Sequence, residues 1–271
     1  MKIGFTTLAC PKWDLDQVIA RAKEYGYDGV DFRGLMGEMA VYKLPEFSTD
    51  ISKTVARFAK AKLEVCGFSS GARLYEKDPA KLAGALGEVS QYARLCGFFH
   101  TPFIRVFGGA LPPGPRDEAV ADAVQTLETM AQIAAPAIIA LEAHDDWVDS
   151  SLLAQAMRRV KAPNVCVLWD VHHPFRMRGE TPRQTWDNIG PYVRYTHVKD
   201  SRAMPDGQYQ YTLPGEGDVP LAEMIALMKS GRYDGYLVAE WEKKWHPELA
   251  EPQIALPAFA AYLRRFAGST P

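Results

Sequence analysis

The chain is 271 residues long, 47% hydrophobic and 24% charged, the composition of a globular protein able to build a large core without disulfide staples. Thirty-one Lys and Arg against thirty-three Asp and Glu leave a formal charge of -2, which excludes a global positive field for nucleic acid or anionic lipid. Cys10, Cys66, Cys96 and Cys166 form no CxxC pair, which argues against a disulfide framework or a cysteine metal site and for a reduced, cytoplasmic setting.

No apolar run approaches ~20 residues and the N-terminus carries no cleavage signal, so neither export nor a membrane span is expected. Short apolar runs rich in β-branched and aromatic residues alternate with stretches of helical period, the sequence form of a parallel βα sheet. In chain order the expected strands are 3–7, 29–33, 63–68, 103–107, 137–144, 165–170, 193–199 and 236–242. Eight strands close a barrel, so the expected fold is α/β, a single (β/α)8 TIM barrel forming one domain over residues 1–271.

The intervening segments carry helical stripes such as Leu15, Val18, Ile19 and Ala22, or Val120, Val124, Leu127 and Met130, which should face the strands. A Tyr-Asp-Gly triplet precedes both the second strand, at Tyr27-Asp28-Gly29, and the eighth, at Tyr233-Asp234-Gly235, as repeated βα units would have it. The Pro/Gly-rich stretch 111–115 falls in a loop after the fourth strand. Long connections at 34–50 and 200–219 are candidate lids over the C-terminal face.

Alternate residues of a barrel strand point inward, so an inward residue at a C-terminal strand end projects into the mouth. Four consecutive strands end this way in a metal-capable side chain: Glu142, Asp170, His197 and Glu240. Their intervals of 28, 27 and 43 residues match two βα units and a third lengthened by a loop, so the four can converge. Single acids at strand ends also serve as caps or ion-pair partners. Four at matching places favour a metal, and three carboxylates with one imidazole suit Mn²⁺ first, with Mg²⁺, Co²⁺ or Zn²⁺ as alternatives.

The segments Ala140-Leu141-Glu142-Ala143-His144, Trp169-Asp170-Val171-His172-His173, Thr196-His197-Val198-Lys199-Asp200 and Ala239-Glu240-Trp241-Glu242 resemble the sugar phosphate isomerase/epimerase superfamily. These are the xylose isomerase-like barrels related to AP endonucleases. The resemblance extends to Ile104-Arg105-Val106-Phe107-Gly108-Gly109 and Pro214-Gly215-Glu216-Gly217-Asp218-Val219. It implies one metal, often manganese, held by Glu142, Asp170, His197 and Glu240. Asp31 stands where many members have Glu, so contacts at the second strand should differ.

Members of such a family include ketose 3-epimerases, hydroxypyruvate isomerases, dehydratases of inosose and dehydroshikimate, and enzymes that cleave oxidised glycosides. The implied activity is metal-dependent isomerisation or epimerisation of a small sugar, ketose or keto-acid through an enediolate, with Glu142 and Glu240 able to move protons on opposite faces. The alternative is a lyase, a dehydratase or an enzyme cleaving oxidised glycosides including C-glycosides, with the same site. A sugar-binding barrel without turnover is a third reading. An AP endonuclease role would call for more ligands and a basic face than six histidines and a charge of -2 supply.

His144 is a further candidate base or acid, its alternative a hydrogen bond to Asp145 or Asp146. His173 is assigned to a substrate oxygen and His172 to structure. Arg105 either grips a substrate oxygen or pairs with Glu142 or Asp170, and Lys199 either polarises substrate or pairs with Glu242. Trp241, with Trp13, Phe68 and Trp147, is a candidate wall for a sugar face. Trp245-His246-Pro247 serves an interface or the site. The partner expected is the small-molecule substrate, with no nucleic acid and no membrane, and a homo-oligomer is compatible with the sequence.

Overall fold

A computed structural model describes residues 1–267. Its barrel strands are β1 Lys2–Thr6, β2 Gly29–Phe32, β3 Glu64–Arg73, β4 Phe103–Phe107, β5 Ile138–Glu142, β6 Val165–Asp170, β7 Val193–Val198 and β10 Tyr236–Ala239. A separate hairpin, β8 Asp200–Ala203 and β9 Tyr209–Thr212, is inserted after β7. The barrel closes in the order β1-β10-β7-β6-β5-β4-β3-β2, with parallel pairing. The eight expected strands are all present. β3 runs on to Arg73, with a register shift between Ser69 and Arg73, and β10 stops at Ala239.

Nine α-helices accompany the strands among the described residues: α1 Leu15–Glu24, α2 Ile51–Ala61, α3 Pro79–Phe99, α4 Arg116–Ala134, α5 Ser150–Arg159, α6 His172–Arg178, α7 Pro182–Ile189, α8 Leu221–Ser230 and α9 Pro252–Arg264. α1 starts where Asp14 accepts from the Gln17 N–H and the Gln17 side chain returns a bond to the Asp14 N–H, a reciprocal cap that satisfies two orphan donors. Of the expected α1 stripe Leu15, Val18 and Ala22 are buried, and in α4 Val120, Val124, Leu127 and Met130 all are.

Contacts divide the chain into two dense halves, Met1–Gly67 with the chain from Thr196 onward, and Phe68–Tyr195. In the first half Tyr27 donates its hydroxyl to Leu256 O at 2.7 Å and Tyr233 donates to Tyr236 O at 2.7 Å, so both repeated tyrosines brace a helix-to-strand handover. In the second half the long α3 and α4 cover β3 to β5, and the Pro/Gly stretch lies in the loop between β4 and α4.

The candidate lids have structure of their own. The connection 34–50 folds into two short 3-10 turns, Val41–Lys43 and Pro45–Phe47. The connection 200–219 is the β8–β9 hairpin followed by a loop wrapped around Asp200. That carboxylate accepts from the backbone N–H of Ser201, Gly215, Gly217 and Val219 at 2.7 to 3.3 Å. A Cβ on Gly217 would meet Asp200 Oδ1 at 2.1 Å, which is why a glycine stands there.

Candidate metal centre

In the first half, β7 delivers His197 and the end of β10 delivers Glu240, whose N–H donates to Val198 O at 2.9 Å. His197 is fully buried, with Nδ1 3.2 Å from Glu240 Oε1 and Nε2 3.6 Å from Asp31 Oδ2. The ring therefore lies between two carboxylates. Lys199 donates to Glu240 Oε2 and to Glu242 Oε1, each at 2.6 Å, from a buried position. Tyr211 in β9 donates to Glu242 Oε1 at 3.0 Å, and burial pushes its phenol well above the usual range.

In the second half, β4, β5 and β6 place Arg105, Glu142 and Asp170. Arg105 Nε stands 3.4 Å from Glu142 Oε2, both buried, and the guanidinium lies 3.8 Å from the centre of the Phe107 ring. Asp170 Oδ1 accepts from the N–H groups of His172 and His173, and Oδ2 is 2.9 Å from His173 Nδ1. His144 Nδ1 is 2.9 Å from Asp145 Oδ1, and its ring meets His173 edge-on at 4.2 Å. The hydrogen bond from His144 holds the Asp145 carboxyl below its ordinary value.

One ligand atom each from Glu142, Asp170, His197 and Glu240 lies within 4.8 Å of the others, and all four residues are buried. Ligands held at ~2.2 Å from one ion stand up to ~4.4 Å apart, so the set fits a single cation with small adjustment. Beside the set, Lys199 stands against Glu240 and Arg105 against Glu142, each a buried cation next to a buried carboxylate.

Other side chains read from the sequence lie as follows. Arg105 and Lys199 are in the ion pairs that were their alternative readings, and His144 is in its hydrogen bond to Asp145. Trp241 is buried against Phe259 and gives its indole N–H to Ala250 O at 2.9 Å. Phe68 packs on Tyr92 and Phe99, and Trp147 is buried against Gly108, while Trp13 borders a cavity. Asp31 emerges as a neighbour of His197. The sequence singles it out only through the resemblance, as an Asp where many members have Glu.

Residues 19–262 match the family model of the xylose isomerase-like TIM barrel. The chain belongs to this family. A fructoselysine 3-epimerase of Escherichia coli O157:H7 is 29% identical over 112 residues, a stretch covering 40% of this chain and 38% of the relative. Among solved structures, an IOLI protein with a bound zinc atom aligns at TM-score 0.80 and 17% identity over 100% of both chains. The 3-keto-D-glucoside 4-epimerase YcjR of E. coli aligns at 0.77 and 17%, covering 98% of this chain and 99% of that one. No described helix is long and apolar enough to cross a membrane.

Proposed function

We propose that the protein is a divalent-metal-dependent isomerase or epimerase of a small sugar, ketose or keto-acid. The observation that carries this reading is the buried convergence of Glu142, Asp170, His197 and Glu240. Mn²⁺ is the first choice for so oxygen-rich a set, and the zinc in a structural relative keeps Zn²⁺ as an alternative. A divalent ion bound there supplies Lewis acidity and a template for a carbonyl and its neighbouring hydroxyl.

The remaining work falls to side chains. Glu142 and Glu240 take a proton from the carbon beside the carbonyl and return it, one on each face of the planar substrate anion. Arg105 positions Glu142 and Lys199 positions Glu240, each from a buried site that keeps the carboxylate in one orientation. His173, engaged through Nδ1 by Asp170, presents Nε2 to a substrate oxygen. The burial around these groups excludes water from the substrate anion.

A lyase is the second reading, and His144 favours it, because a titratable group with its side chain 30% exposed can protonate a leaving oxygen. The test is NMR of the Mn²⁺-loaded protein in D₂O with D-fructose and hydroxypyruvate beside keto-inositol, dehydroshikimate and a 3-keto-glucoside. Metal-dependent deuterium at the carbon beside the carbonyl, with an isomeric product, supports the first reading. Elimination products support the second. No exchange and no product with any of them defeats both.

A further inference from the structure

The hairpin inserted after β7 brings a side chain to Lys199 that the barrel strands do not supply. β8 and β9 pair antiparallel with Asp200 opposite Thr212 and Ser201 opposite Tyr211, so the returning strand carries Tyr211 back to the neighbourhood of Lys199. The turn closed on Asp200 fixes where the hairpin starts. The Tyr211 ring then meets Tyr209 edge-on at 5.4 Å and His246 edge-on at 5.2 Å, which restricts the direction of its hydroxyl.

That hydroxyl donates to Glu242 Oε1 at 3.0 Å, and the same oxygen accepts from Lys199 Nζ at 2.6 Å. Burial keeps the phenol in its protonated, donating form. The other oxygen, Oε2, faces His246 Nε2 at 3.9 Å, beyond hydrogen-bond range, so Oε1 carries both close contacts. The Glu242 main chain is fastened as well, since its carbonyl accepts from the N–H groups of Trp245 and His246 at 2.9 Å each.

Lys199 divides its ammonium between Glu242 Oε1 and Glu240 Oε2, at 2.6 Å to each. Glu240 is one of the four converging ligands and Glu242 is not. An ammonium and a dication repel each other and compete for the charge of one carboxylate. A second carboxylate on Lys199 therefore weakens its hold on Glu240, whose Oε1 lies toward the fellow ligand His197.

We propose that Glu242, oriented by Tyr211, is a positioning residue that shares Lys199 with Glu240 and so keeps Glu240 available to a divalent ion. The inference rests on the metal-site reading above and assigns that site a support drawn from the β8–β9 hairpin.

Calorimetric titration of the EDTA-treated protein with Mn²⁺ alone tests it, with EPR of the bound ion as a second readout. Glu242→Gln leaves Lys199 with Glu240 as its one charged partner of the two, and should weaken Mn²⁺ binding roughly 10–100-fold, as changes to the partners of metal ligands do. Tyr211→Phe keeps the ring and alters no charge, and should act in the same direction by about two- to tenfold, the worth of one hydrogen bond. Both variants should alter the EPR spectrum of the bound ion, a signature that a mere loss of loop packing would not give. In a Lys199→Met background, Glu242→Gln should change the affinity by no more than about twofold, because the ammonium it acts through is gone. Thermal melts of the metal-free variants establish that they are folded, and Tyr211→Phe decides the matter if Lys199→Met does not fold.

Unchanged Mn²⁺ affinity in either Glu242→Gln or Tyr211→Phe, with binding by the unaltered protein intact, overturns the role of Glu242 and leaves the metal reading standing. A loss that persists undiminished in Lys199→Met means that Glu242 acts on the ion through its own charge, which also overturns it. No uptake of Mn²⁺ by the unaltered protein overturns both readings.

Discussion

At the scale of single residues, the two glutamates proposed as proton carriers have different surroundings, though each stands beside a buried cation. Glu142 faces Arg105, and Glu240 faces Lys199 and His197. Replacing either by Gln keeps size and an oxygen while removing basicity, so turnover should fall on the order of 10²–10⁴ if that residue transfers the proton. Metal content measured on the same samples separates a lost base from a lost ligand. Asp31 acts one step further out. Its carboxylate faces His197 Nε2 across 3.6 Å, longer than a hydrogen bond, so it biases the ring electrostatically rather than locking it. Asp31→Asn should still weaken Mn²⁺ binding by roughly 10–100-fold, the range seen when partners of metal-ligating histidines are changed. Calorimetry showing unchanged affinity would remove Asp31 from the site.

Residue-scale electrostatics also give a pH dependence. The hydrogen bond from His144 is the largest cause of the depressed Asp145 carboxyl, whose ordinary value is 3.8. A depressed acid contributes stability that is present above its unfolded value and lost as pH falls through the folded one, so this contact should release below 3.8. With both side chains about one-third exposed, the effect on global stability is small, and carboxyl NMR is the appropriate measurement. His144→Gln should return the Asp145 midpoint toward 3.8, and a midpoint that does not move would show that His144 is not its cause. Such a partnership was legible only as an alternative, because a neighbour one residue away and a substrate beyond the chain are both within reach of a mouth histidine.

At the scale of elements, the loop wrapped on Asp200 is the part most sensitive to a small change. Gly217→Ala places a Cβ 2.1 Å from Asp200 Oδ1 and 2.3 Å from Ser201 O, and Ser201 N–H and O are already committed to that turn. The expected cost is about 1–3 kcal/mol, read as a lower melting temperature at roughly 2–4 °C per kcal/mol. An unchanged melt would mean that the hairpin is not anchored through Asp200. The eight barrel strands were readable because each is a buried run bounded by turn residues. The β8–β9 hairpin was not. Its strands have four residues each and are largely solvent-facing beyond Asp200 and Ser201, so no apolar alternation separates them from a loop. The extension of β3 past Phe68 was hidden for a related reason, since Ser69-Ser70-Gly71 reads as a break although Ser70 donates to Arg105 O at 2.6 Å. Trp241 shows the converse: it was a candidate wall for a sugar face, yet just past the end of β10 it packs on Phe259 of α9 and gives its indole N–H to Ala250 O.

For the whole molecule, the cluster of buried like charges predicts that metal and fold stability are linked. Glu142, Asp170 and Glu240 bring three carboxylates together, and the unfolded chain has no such site, so an ion bound by the native state raises unfolding free energy by RT ln(1 + [L]/Kd). At a free metal concentration a thousandfold above Kd this is about 4 kcal/mol. At roughly 2–4 °C per kcal/mol, chelation should lower the melting temperature on the order of 10 °C, and added Mn²⁺ should restore it. The proposal that residues 1–271 form a single domain is tested in the same scan, because one cooperative transition should shift as a unit rather than split. Arg105 and Lys199 set the size of the effect, since each already offsets part of the repulsion in its half. In Lys199→Met the metal-free protein should therefore lose more stability than the metal-loaded one, widening the gap between the two melts. Equal melts with and without metal, once elemental analysis confirms that the ion was present and then removed, would mean that the four ligands do not hold a cation that the fold depends on.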